Sequence, residues 1–269
     1  MRDKVIIITG ASSGIGKALA YKLANQGAKL AIAARNINEL LSIEEDLKKQ
    51  GTEILSIRTD VTKELACKEL VEQTYSHFGR IDVLINNAGI SMRALLDDLD
   101  TNVLHKVMDV NFWGTVYCTK YALPYLQESK GSLVGVISIA GFIGLPGRTG
   151  YAASKFAVRG FLNTVRVENI KKKLHVLVAA PGFTASNIRK CALNELGRQQ
   201  GESPRDESNM MTSEQCAAII IKGIRKRKRE MIMTFKEGRL TVFLSKWFPT
   251  LVDKLSYSHM AKEPDSPFK

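Results

Sequence analysis

Tyr151 and Lys155 stand four residues apart in Gly150–Lys172, a segment whose apolar spacing predicts a helix, so both side chains project from one face. A phenol alone exchanges protons poorly near neutrality, because its reference pKa is about 10. An ammonium beside it favours the phenolate, and each tenfold gain in acidity takes about 1.4 kcal/mol of such stabilisation. The pair therefore suits proton transfer to or from an oxygen atom, worth about 10²–10⁴ in rate for a well-placed group. Ser138 ends the strand-like run Ser132–Ser138 shortly before this helix, so its hydroxyl can join the pair at a sheet edge. Taken singly, the three residues also fit a packed aromatic, a surface charge and a strand-end cap. Their company with a second motif favours chemistry.

That second motif is Thr9-Gly10-Ala11-Ser12-Ser13-Gly14-Ile15-Gly16, between a β-branched run, Lys4–Thr9, and a helical pattern, Gly14–Gln26. Gly10 allows a tight turn, Gly14 lets the backbone approach a pyrophosphate, and Gly16 allows close helix–strand packing, with the helix N-terminus aimed at the anion. A glycine trio alone is an ordinary loop feature. Placed inside a first βαβ unit, it makes Gly10, Ser12, Ser13, Gly14, Ile15 and Gly16 candidate contacts for a dinucleotide. The second strand ends Ala33-Ala34-Arg35-Asn36. An acid commonly stands there to hold the ribose 2′-hydroxyl of NAD(H), whereas Arg35 suits the 2′-phosphate of NADP(H). NADP(H) is therefore favoured over NAD(H); the alternative is a solvated arginine opening the next helix.

The elements that must position these groups alternate along the chain. Strand-like runs cover Lys4–Thr9, Lys29–Ala34, Glu53–Arg58, Asp82–Asn86, Ser132–Ser138, Leu174–Ala180 and Met231–Phe235. Helical patterns separate them at Gly14–Gln26, Asn38–Gln50, Lys63–Phe78, Val103–Glu128 and Gly150–Lys172. The strands are apolar throughout rather than alternating, as in a parallel sheet covered on both faces. The expectation is a three-layer, doubly wound α/β Rossmann-type fold of about seven parallel strands with helices on both faces. Ligands would sit beyond the carboxyl ends of the strands, at the switch point.

Composition sets outer limits. The 269 residues, 45% hydrophobic and 25% charged, carry no linker-like stretch or repeat, which predicts one domain over 1–269. The run Val5–Ile8 is too short for a signal peptide, and no apolar stretch reaches the roughly 18 residues of a membrane span. Cys67, Cys118, Cys191 and Cys216 lack paired spacing, so neither a disulfide frame nor a metal site is expected, and a cytoplasmic protein is. The net charge of +12 allows an anionic partner or plain solubility. No groove-reading motif or stacking platform accompanies it, so nucleic acid is not an expected partner.

With these motifs in this order, the chain resembles the short-chain dehydrogenase/reductase family from Val5 to about Phe235. Thr9–Gly16 matches the family's TGxxxGxG, and Asn86-Asn87-Ala88-Gly89 its motif after the fourth strand. Asp60-Val61 matches the acidic position that contacts adenine, and Asn111, Ser138 and Tyr151-x-x-x-Lys155 the catalytic set. Pro181-Gly182 matches the motif beside the nicotinamide. Ser186 stands where threonine is common, with Thr184 offering another hydroxyl, and the helix reads Arg166-Val167-Glu168-Asn169 where Arg-x-Glu-Leu is usual.

The resemblance implies hydride transfer between nicotinamide and a carbonyl or secondary alcohol. Tyr151 would be the acid or base, Lys155 would lower its pKa, Ser138 would bind the substrate oxygen, and Asn111 would hold a water joining Lys155 to solvent. Asp60, Val61, Asn87, Ala88, Gly89, Pro181, Gly182 and Thr184 join the expected cofactor contacts, with Tyr151 and Lys155. A homodimer or homotetramer built on the long helices is also implied. The alternative is a non-catalytic NADPH-binding sensor or a membrane-surface-associated binding protein.

Residues 183–213 are polar and helix-poor, as a substrate lid would be. Phe183, Ile188, Leu193, Met210 and Met211 within it, with Met92, Phe142, Ile143 and Leu145, are candidate walls for a fairly hydrophobic substrate, or anchors for the lid. The basic run Arg225–Arg229 reads as an exposed helix end and turn. In the extension 237–269, an apolar stripe from Leu240 to Leu255 fits the cleft or a second subunit; with the basic run it also fits an anionic membrane surface. Beyond Ala261, with Pro264 and Pro267, the tail reads as disordered unless held.

Overall fold

The first strand, β1 (Val5–Thr9), is Val-Ile-Ile-Ile-Thr and buried at all five positions, which requires cover on both faces. In the computed structural model, which describes residues 1–185, 187–201, 210–262 and 266–268, that cover is two layers of helices. The elements follow as α1 (Gly14–Ala24), β2 (Lys29–Ala34), α2 (Ile37–Lys49), β3 (Ile54–Arg58), α3 (Glu64–Phe78) and β4 (Val83–Asn86). Then come α4 (Thr101–Met108), α5 (Gly114–Glu128), β5 (Ser132–Val136), α6 (Thr149–Glu168), β6 (His175–Ala180), α7 (Ser213–Arg225) and β7 (Glu230–Ile232). Two helices, α8 (Thr241–Trp247) and α9 (Pro249–Ala261), complete the order.

The seven strands form one parallel sheet in the order β3-β2-β1-β4-β5-β6-β7, with the switch point between β1 and β4. Alternate residues sort into two cores. Ile6 and Ile8 pack with Leu19 of α1, Leu40 of α2 and Ile220 of α7, while Ile7 faces Leu70 of α3, Ala122 of α5 and Leu162 of α6. Each fully buried isoleucine of β1 contributes about 1.5–3 kcal/mol.

Three of the predicted segments are cut shorter or broken, and one helix was not in the sequence reading. The predicted helix Val103–Glu128 is interrupted by a π-helical turn, Asp109–Trp113, centred on Asn111. The strand before Ser138 stops at Val136. The last strand is Glu230–Ile232, because the chain enters another π-helical turn at Phe235. The helix leading into the basic run begins at a capping box, in which Thr212 accepts from the Gln215 N–H while Gln215 accepts from the Thr212 N–H.

The tail is held by its own chain: Ser266 is buried and the Phe268 ring lies 4.7 Å from that of Tyr257. Pro264 lies outside the described residues. Among the described residues no helix is long and apolar enough to cross a membrane. Asn169, where leucine is usual, accepts from Gln127 Nε2 at 2.6 Å and so ties α6 to α5.

Candidate active site

Thr9 and Asn87 face each other across the switch point and lock the two loops there. The Thr9 hydroxyl accepts from the N–H groups of Asn87 (3.0 Å) and Ala88 (3.1 Å). In return the Asn87 side-chain amide donates to the carbonyls of Thr9 (3.0 Å) and Gly10 (3.1 Å). A Cβ on Gly10 would lie 2.8 Å from the Ala88 Cα, and one on Gly16 would lie 2.2 Å from the Gly10 oxygen, so neither position accepts a side chain.

The dinucleotide reading meets a test at the head of α1. Ser13 makes no side-chain capping bond and the first turn holds no acid, so the first N–H groups of the helix are left for an anion. Gly10 and Gly14 take positive φ, 67° and 53°, which bends the backbone around that point. These residues fit a pyrophosphate. Arg35 follows β2 on the exposed rim, beside Asn36, which caps α2 by accepting from the Glu39 N–H at 3.4 Å. Asp60 accepts from the N–H (3.0 Å) and hydroxyl (2.9 Å) of Thr62, fixing the turn after β3.

A cleft of about 1210 Å³ runs from this loop to Tyr151. The expected catalytic and cofactor residues line it, except Gly16 and Asn111, which are absent from its lining. Ser138 is extended (φ −166°) and heads a short 3₁₀ turn, Ile139–Gly141, where its oxygen accepts from the Ala140 N–H at 3.2 Å. Its hydroxyl also bears on the Tyr151 phenol, favouring the phenolate.

Both members of the Tyr151–Lys155 pair are buried, at 8% and 4% exposure. Lys155 Nζ donates to the Val136 carbonyl at 3.1 Å and lies 5.6 Å from the centre of the Tyr151 ring. Burial alone brings this ammonium down to about 8. Burial also raises the phenol above its ordinary value, opposed by the Ser138 hydroxyl and by the charges of Arg148 and Arg189. The sequence reading assigns the phenol's acidity to Lys155 and omits those arginines. Arg148, three residues before Tyr151, was within reach of helical spacing; it donates to Ser91 Oγ (2.7 Å) and to the Met92 carbonyl (3.0 Å). Arg189 comes from the lid, where no pattern announces it, and donates to the Thr184 carbonyl at 2.9 Å and to the Met210 sulfur.

Asn111 shows why the π-helical turn matters. Its amide clasps the backbone of Ile90, accepting from the N–H at 2.8 Å and donating to the carbonyl at 3.0 Å, and it donates to Ser154 at 2.9 Å. A Cβ on Gly89 would lie 3.1 Å from Asn111 Oδ1 and 3.3 Å from Lys155 Nζ, so the bare glycine lets amide and ammonium approach one point.

The substrate end mixes expected and unexpected walls. Phe183, Ile188, Leu193, Ile143 and Leu145 line the cleft. Met92, Phe142 and Met211 pack into or against the cores instead, and Met210 serves Arg189. Pro181 and Gly182 follow β6, and a Cβ on Gly182 would strike Thr234 Oγ1 at 2.3 Å. Thr184 donates to the Gly182 carbonyl at 3.2 Å; Ser186 lies outside the described residues. Sequence reasoning missed that Val252, Ser256 and Met260, spaced by four along α9, close the remaining side.

Residues 4–196 match the family described as short chain dehydrogenase. This chain belongs to that family of oxidoreductases. A "Dehydrogenase/reductase SDR family protein 7-like" of Dictyostelium discoideum is 36% identical over 263 residues, covering 95% of this chain and 81% of its own. An "11-beta-hydroxysteroid dehydrogenase 1A" of Arabidopsis thaliana is 40% identical over 187 residues, 69% of this chain but 53% of its own, so the match spans about half of that relative. Among solved structures, a short-chain dehydrogenase/reductase of Burkholderia phymatum in complex with NAD aligns with a TM-score of 0.81 at 25% identity, over 93% of this chain and 95% of its own. An alcohol dehydrogenase of Thermococcus sibiricus complexed with 5-hydroxy-NADP gives 0.77 at 26%, over 86% and 96%. Short-chain dehydrogenases with these folds thus bind NAD in one case and an NADP derivative in the other.

Proposed function

We propose that this chain is an NADP(H)-dependent oxidoreductase that interconverts a fairly hydrophobic carbonyl compound and its secondary alcohol. The observation that carries the proposal is the single cleft joining the glycine loop to Ser138, Tyr151 and Lys155. Gly10, Ser13 and Gly14 would hold the pyrophosphate, Arg35 the 2′-phosphate, Asp60 and Val61 the adenine end, and Pro181, Gly182 and Thr184 the nicotinamide end. When bound, the dinucleotide supplies or accepts the hydride.

The protein's own part is proton transfer. In reduction, Ser138 donates a hydrogen bond to the substrate oxygen, and Tyr151 gives that oxygen its phenolic proton as the carbonyl carbon receives the hydride. The Tyr151 phenolate is reprotonated from Lys155, which Asn111 links toward solvent through a water beside Gly89. Oxidation runs these transfers backwards. Arg148 and Arg189 favour the phenolate against the burial that opposes it. The apolar walls, Ile143, Leu145, Ile188 and Val252, exclude water and suit an apolar substrate. The assembly in this reading is a homodimer or homotetramer through α5 and α6, beside which Trp113 and Phe156 expose large apolar surfaces.

Tyr151→Phe separates an enzyme from a non-catalytic NADPH sensor. The expected outcome is retained NADPH binding with turnover of carbonyl substrates, followed at 340 nm, reduced by about 10²–10⁴. Turnover equal to that of the parent chain would remove Tyr151 from the mechanism.

A further inference from the structure

Half of the sixteen large apolar side chains exposed among the described residues lie in one stretch, Phe235–Tyr257. Phe243 and Trp247 of α8 are 58% and 69% exposed, and Phe248, between the helices, and Leu251 of α9 are exposed beside them. Their opposite faces are engaged: Val242 and Val252 are buried, and Leu244, Ser256 and Met260 line the cleft. So α8 and α9 form a wall, one side toward the site and the other apolar and uncovered. A soluble surface rarely leaves so much contiguous apolar area to water.

What covers it follows from charge and residue type. On α8 and α9 themselves stand Lys246 and Lys254 against one carboxylate, Asp253, while Lys236 and Glu237 line the cleft. A two-fold contact between copies would set this same cationic rim against itself. An anionic lipid surface complements it, and tryptophan among phenylalanines and leucines is the composition that settles at the headgroup level of a bilayer.

The basic run Arg225–Arg229 does not share this face. It precedes β7 and lies at the amino edge of the sheet, where Arg227 donates to the carbonyls of Lys130 (3.2 Å) and Lys173 (2.7 Å), while α8 and α9 follow β7 at the carboxyl edge. The sequence reading that pairs run and stripe on one membrane is therefore corrected.

We infer that the outer face of α8 and α9 docks on anionic phospholipid bilayers in the interfacial plane, with Phe243, Trp247 and Leu251 inserted and Lys246 and Lys254 on the headgroups. The inference is independent of the catalytic reading, since its test involves no turnover. The full chain is sedimented with phosphatidylcholine vesicles and with phosphatidylcholine–phosphatidylglycerol vesicles, alongside Phe243→Ser/Trp247→Ser, Lys246→Glu/Lys254→Glu, and a variant with Arg225–Arg229 changed to glutamine. Thermal melts establish that each variant is folded.

The parent is expected to partition onto the mixed vesicles, and the Phe243→Ser/Trp247→Ser variant to bind them roughly 10–100-fold more weakly. Lys246→Glu/Lys254→Glu is expected to lose at least about tenfold on the mixed vesicles and little on phosphatidylcholine alone. Binding lost only in the glutamine variant would assign the lipid contact to the opposite edge and overturn the inference. So would no binding to either vesicle, or a stable oligomer that Trp247→Ser dissociates, which would make a second copy the occupant.

Discussion

Lys155 is costly to keep where it is. Its ammonium sits at 4% exposure and titrates near 8 rather than at the ordinary 10.5, a difference worth roughly 3 kcal/mol. Below pH 8 the lysine is protonated in both folded and unfolded chains, so the folded state carries the whole penalty. Between about 8 and 10.5 the unfolded chain holds the extra proton, and stability rises with pH across that window. Lys155→Met removes the buried charge at the loss of one hydrogen bond to the Val136 carbonyl. Its melting temperature at pH 7, without cofactor, is expected to exceed the parent's, while turnover falls. A lower melting temperature would show that the ammonium stabilises the fold. Such an exchange of stability for chemistry is what a working residue, rather than a packing residue, produces.

At the scale of elements, His175 ties β5 and β6 to the basic run. One ring nitrogen is bonded to Ser132 Oγ at 2.9 Å and the other to the Lys228 carbonyl at 2.9 Å, which fixes the neutral ring with Nε2–H donating. Burial first, then the charges of Arg227 and Arg166, hold its pKa below the ordinary 6.5. The unfolded chain therefore takes up the proton first, and the stability contributed by neutral His175 is lost as pH falls from about 6.5 through the lower folded value. The melting temperature of the parent is expected to drop on going from pH 7.5 to 5.5, and less so in His175→Gln; equal drops would clear His175.

The same scale shows how much was legible. Strands and their helices were, because apolar runs of four to six residues buried on both faces need no tertiary information. The glycine loop and Tyr151-x-x-x-Lys155 were visible as motifs, because each is a pattern of local spacing, and the fold sets both along one cleft. The π-helical turn at Asn111 was not: its cause is the long-range bond to Ile90, and the local residues Asp109–Trp113 read as uninterrupted helix. Arg189 was not, since a charge in a polar lid is invisible until the chain folds it inward. The apolar stripe of the extension was visible, but its division into a cleft face and an outer face depends on which side meets Tyr151's cleft.

For the whole molecule, the proposed dinucleotide site draws on loops from both halves of the sheet, so binding there should be read in global stability. NADPH at about a hundred times its dissociation constant adds roughly 2.7 kcal/mol, or about 5–10 °C in melting temperature for a chain of this size. NADPH is expected to raise the melt more than NADH at equal concentration, and Arg35→Asp to abolish that excess. Equal shifts by the two nucleotides in the parent would remove Arg35 from the 2′-phosphate. The parallel strand β7 has one more effect at this scale. By parting the run Arg225–Arg229 from the apolar outer face of α8 and α9, it gives the molecule a head and a foot. A sulfonated resin or silica bead, having charge but no hydrocarbon to dissolve in, would grip the foot through Arg225–Arg229, and the immobilised protein would keep its mouth open to reactants.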